Sequence, residues 1–60
     1  MVTRYETLVR LPGGQARVHH GSNLPRLDEG VLVIPEEKGV TRYNVGKWLS
    51  HHTEKKVTLD

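Results

Sequence analysis

The segment Leu11-Pro12-Gly13-Gly14 separates two alternating runs and constrains the chain more than any other feature. Proline presets φ and removes a backbone donor, while glycine accepts the positive φ that tight turns demand. Before it, Tyr5, Thr7, Val9 and Leu11 alternate with Glu6, Leu8 and Arg10. After it, Ala16, Val18 and His20 alternate with Gln15, Arg17 and His19. Strand side chains alternate between faces, so residues 5–20 read as an antiparallel β-hairpin. Parity then selects a register. A two-residue loop pairs Val9 with Ala16 and Thr7 with Val18; a four-residue loop pairs Leu11 with Ala16 and Val9 with Val18. A regular three-residue loop pairs Val9 with Arg17 and Thr7 with His19, which mixes the faces. The twist of Pro-Gly suits a two-residue hairpin poorly, so a four-residue loop or a bulge is expected. The expected outer face carries Arg4, Glu6, Leu8, Arg10, Gln15, Arg17 and His19.

At 60 residues the chain is expected to be one domain, residues 1–60, near the lower limit for a self-sufficient core. Its apolar residues are led by eight valines, with no phenylalanine and one alanine, a bias toward strand over helix. The absence of cysteine excludes a disulfide staple and a thiolate zinc site, and fits a reducing, cytoplasmic setting. No apolar run approaches the ~20 residues needed to span a bilayer, and no signal-peptide pattern follows Met1, so no membrane association is expected. Small cores without staples often recruit a second copy, which makes a homo-oligomer an expectation.

Further along, residues 21–30 carry turn formers at both ends, with Leu24 and Leu27 expected to fold down over one open end of the core. Val31-Leu32-Val33-Ile34 reads as a central strand buried on both faces or packed at an interface. Pro35 ends that strand or lies at an edge, and Glu36-Glu37-Lys38-Gly39 forms the next hairpin loop. Pairing Ile34 with Thr41 and Leu32 with Tyr43 places those four on one face. Val45, Trp48, Leu49 and His52 follow at i, i+3, i+4 and i+7 behind Asn44, a good N-cap, and predict a short helical turn within residues 45–52. Residues 54–59 read as a short last strand. The sum is a mainly β domain: a small antiparallel barrel or curled sheet whose architecture resembles SH3-like and OB-like barrels.

Chemistry is sparse. No nucleophile, base and orienting group share a pattern, and Gly13-Gly14 lacks the Lys-Ser/Thr of a phosphate-binding loop, so the chain reads as a non-enzyme. The pairs His19-His20 and His51-His52 each offer one imidazole per strand face, with Glu6 or Glu54 as a third ligand; a structural zinc site wants four, and no metal or other cofactor is expected. Trp48 is the expected core anchor, while Tyr5 and Tyr43 suit the core margin.

Charge is uneven. Asp28 to Glu37 holds four acids and no base, whereas Lys38 to Lys56 holds five bases and one acid. The leading functional expectation is nucleic-acid binding through Arg4, Arg10, Arg17, Arg42, Lys47, Lys55 and Lys56. The alternative is a protein-binding adaptor, inhibitor or assembly subunit using the Val31–Ile34 strand or an open sheet edge.

Overall fold

A computed structural model describes residues 1–59. Six strands follow in order: β1 (Val2–Leu11), β2 (Gln15–Gly21), β3 (Arg26–Asp28), β4 (Val31–Glu36), β5 (Gly39–Tyr43) and β6 (Ser50–Thr58). They form two three-stranded antiparallel sheets, ordered β2-β1-β6 and β3-β4-β5, which do not close into a barrel.

The first hairpin forms, but its register differs by one residue from either expected pairing. Leu11 pairs with Gln15, Val9 with Arg17, Thr7 with His19 and Tyr5 with Gly21. The loop is Pro12-Gly13-Gly14, and both glycines take positive φ, +86° and +79°. Three-residue loops close on such a left-handed position, so the second glycine decides the count. His19 turns inward as a result, and Val18 is half-exposed on the outer face.

The core is small. Val9, Leu32 and Ile34 are buried together, with Leu11, Tyr43 and Trp48 packed against them. Thr7 is buried beside Val9 and satisfies its hydroxyl against Thr53 across the strand, Oγ1 to Oγ1 at 3.0 Å. In the second sheet Leu32 pairs with Tyr43 and Ile34 with Thr41, as parity predicts. The strand Val31–Ile34 is central, and Val33, on the opposite face between Arg26 and Arg42 in register, is also buried. Long arginine stems can cover an apolar neighbour while keeping their charge in water.

Pro35 lies beyond the end of β3, which pairs only as far as Val33, so its missing donor interrupts no ladder on that side. Gly21 packs there instead: a Cβ on Gly21 would stand 2.2 Å from the Pro35 carbonyl oxygen. The backbones of the two sheets meet at this point.

Three further expectations are corrected. Residues 21–30 contain β3, closed by a Glu29-Gly30 turn with φ of +51° and +83°, and both Leu24 and Leu27 are exposed. Leu27 faces inward beside Leu32, but no strand of the other sheet covers it. No helical turn occupies residues 45–52. The Lys47 amide donates to the Asn44 carbonyl at 2.9 Å, and Gly46 takes φ +81°, a β-turn with glycine at its third position. The last strand consequently starts at Ser50 and runs nine residues, carrying His51 and His52 on opposite faces. Trp48 is half-buried and donates its indole N–H to the Gly30 carbonyl at 3.2 Å.

Candidate functional site

Two polar assemblies stand out, one between the sheets and one on an outer face. The first is built by the three-residue loop. His19 Nδ1 donates to Glu36 Oε1, and Tyr43 donates its hydroxyl to Nε2 of the same ring at 2.6 Å. This is the tautomer that satisfies both contacts of a neutral imidazole. The His19 and Tyr43 rings meet edge-on with centroids 5.6 Å apart. Only 11% of the His19 side chain is exposed, so the imidazole needs both partners. The Glu36 carboxyl is held below its ordinary value, first by the His19 hydrogen bond and then by Thr41, against the opposing effect of partial burial.

A cleft of about 460 Å³ opens beside this clasp, lined also by Arg4, His20, Glu37 and Lys38. Arg4 reaches Glu37 at 3.7 Å. Both are more than half exposed, so this pair adds little to stability.

The second assembly covers the outer face of the β2-β1-β6 sheet. Glu6 stands directly between His20 on β2 and Glu54 on β6, and the neighbouring rung places Leu8 between Val18 and His52. Two carboxylates opposite each other repel. Basic groups surround them: His20 Nδ1 lies 3.8 Å from Glu6, His52 Nε2 lies 3.8 Å from Glu54, and Lys56 Nζ lies 2.9 Å from Glu54. Lys56 holds the Glu54 carboxyl below its ordinary range, and Glu54 raises the Lys56 ammonium in return. Among the described residues no group of three or more His, Cys, Asp or Glu side chains is placed to hold a metal ion.

The basic residues singled out from sequence do not share one surface. Arg4, Arg10 and Lys56 lie on the outer face of the first sheet. Arg17 and Lys55 lie on its opposite face, beside Val9 and Tyr5 respectively. Arg42 flanks Val33 on the outer face of the second sheet, and Lys47 closes the turn after Asn44. Gln15 and His19 also leave the expected outer face, because the register shift reverses all of β2.

The inter-sheet clasp escapes a reading of the sequence, because it depends on that register. Its signal is the Gly13-Gly14 pair, once both glycines are counted inside the loop.

Exposure marks a third feature. Along β6 the inward-facing His51, Lys55 and Val57 are exposed and only Thr53 is partly covered. On β3 the inward-facing Leu27 is 57% exposed. One edge strand of each sheet, β6 and β3, therefore extends past the sandwich.

No family model, curated protein or solved structure matches the chain. Among the described residues no helix is long and apolar enough to cross a membrane.

Proposed function

We propose that the chain is a non-enzymatic binding module whose partner is a protein, docked along the strands that extend beyond the sandwich. One observation carries the reading: Leu27 and Val57 occupy inward-facing positions, yet are 57% and 48% exposed. Inward-facing apolar side chains without a covering layer are surface that association can bury. The Val31–Ile34 strand drops out as the docking element, because Leu32, Val33 and Ile34 are already buried. The strand order supports an SH3-like arrangement left open, with β1 between β2 and the last strand, and β2 leading into the second sheet.

Nucleic-acid binding is a second reading, favoured by Arg4, Arg10 and Lys56 sharing one face. The Lys56–Glu54 and Arg4–Glu37 pairs and the remote positions of Arg17, Arg42, Lys47 and Lys55 weaken it. Phosphate-driven affinity falls steeply with salt, whereas apolar docking does not.

The test cross-links the full chain, Leu27→Ser and Val57→Ser in cells that express them, with folding checked by circular dichroism. Mixed DNA and RNA are titrated against all three at two salt concentrations. The expected result is protein adduct formation by the wild type that each folded variant loses on the strand it alters, with no salt-steep nucleic-acid binding. Absence of any adduct overturns the proposal, as does salt-steep binding that both variants retain.

A further inference from the structure

We infer that the free edge of β6 pairs antiparallel with β6 of a second copy, joining two three-stranded sheets into one six-stranded sheet. The inference rests on the protein-docking reading above and names the partner on the Val57 side alone, since Leu27, on β3, lies outside this contact. β6 runs for nine residues and, among the described residues, has a strand neighbour on one side only, β1. Every second N–H and C=O along its other side is thus available to a further strand. Edge strands rich in lysine are ordinarily guarded against such pairing. Here the guard is incomplete, because an acid and a base sit two residues apart on the same face: Glu54 and Lys56.

That spacing selects a register. A two-fold axis perpendicular to the sheet keeps the outer face of each copy on the same side, so paired residues share parity. Centring on residue 54 puts Glu54 against Glu54, and centring on residue 56 puts Lys56 against Lys56. Centring on Lys55 sets Glu54 opposite the partner copy's Lys56, and the symmetric pair repeats it. The same register sets Thr53 opposite Val57 on the inward side. Val57, 48% exposed in the single chain, gains a cross-strand neighbour there. One conflict remains, Lys55 against Lys55 at the axis. Its side chain is exposed, so the two ammonium groups can diverge into water.

Sedimentation equilibrium of the full chain is expected to show a monomer–dimer equilibrium. Lys56→Glu and Glu54→Lys each weaken the dimer on the order of tenfold or more, since attraction becomes repulsion in both symmetric pairs. Mixing these two variants restores association, although each carries like charges at 54 and 56 within its own chain. Lys55→Thr tightens the dimer. In this cysteine-free chain, Lys55→Cys oxidises to a cross-linked dimer, while His52→Cys, far from the axis, does so much less. A strictly monomeric wild type, a dimer indifferent to the charge reversals, or equal cross-linking at 52 and 55 overturns the inference. A monomer that still forms a Leu27- and Val57-dependent adduct with a different protein overturns it while leaving the docking reading intact.

Discussion

His19 joins the two sheets by a route that its place in a polar doublet conceals. Its ring spans the gap between Glu36 at the end of β4 and Tyr43 at the end of β5, next to the point where Gly21 and Pro35 bring the backbones together. A larger residue at 21 would push the Pro35 carbonyl away and open the clasp. His19→Ala removes both hydrogen bonds and takes from the partly buried Tyr43 hydroxyl its histidine partner, while Glu36 keeps Thr41, a loss of about 1–3 kcal/mol in chemical denaturation. The clasp also sets an acid limit. Glu36 titrates below its ordinary value of 4.5 in the folded chain, so the unfolded chain takes up the proton first as pH falls. The contribution of Glu36 is therefore complete above the ordinary carboxylate range and is lost as pH drops through the lowered value. Denaturation measured from about pH 6 to about pH 3 is expected to show this loss in the wild type and a shallower one in Glu36→Gln. Glu54 shifts in the same direction through Lys56, and it remains in both proteins, so the difference isolates the clasp.

At the scale of elements, what the sequence disclosed depended on who supplies the partner. The β4–β5 register was legible because Leu32 and Ile34 on one strand meet Thr41 and Tyr43 on the other, and parity has one good solution. The first hairpin was not, because β2 offers only Ala16 and Val18 as apolar residues and both lie outward. Its inward residues are the polar Gln15 and Arg17, then His19, which meets its polar partners 17 and 24 residues further along the chain only after folding, and Gly21, which has no side chain to read. The helical periodicity of Val45, Trp48, Leu49 and His52 was coincidental: Gly46 at positive φ ends it in a turn, and His52 belongs to a strand. The candidate site was legible in its residue types more than in its faces, since one register step moved Arg17 and His19 together. The loop itself is testable. Nothing lies within 4 Å of a Cβ built on Gly13, so a side chain there meets no steric obstacle and only its φ of +86° matters. Gly13→Ala is expected to destabilise by about 1–2 kcal/mol, and Gly13→Asn by distinctly less, because asparagine tolerates the left-handed region. Equal losses in thermal or chemical unfolding would sink this account of the turn.

The whole molecule measures 39 × 22 × 16 Å, a slab only one pair of sheets thick. Such a shape covers the middle strand of each sheet and leaves the flanking strands to solvent. Stability should follow the same division, since local opening is governed by how many neighbours hold a strand. β1 is paired along both sides, to β2 and to β6, and β4 is held by β3 and β5. Their amides are expected to exchange most slowly with deuterium, and those of the three-residue β3 among the fastest. β6 is the informative strand. Amides bonded to β1 should be protected at every protein concentration. The alternate set, pointing away from β1, should exchange freely in dilute solution and gain protection as concentration rises if a second β6 takes that edge. Residue-resolved exchange measured at two concentrations separates the outcomes. Concentration-independent exchange along all of β6 would mean that the edge stays open and that the partner covers the molecule elsewhere, at the exposed inward side of Leu27 and Val57.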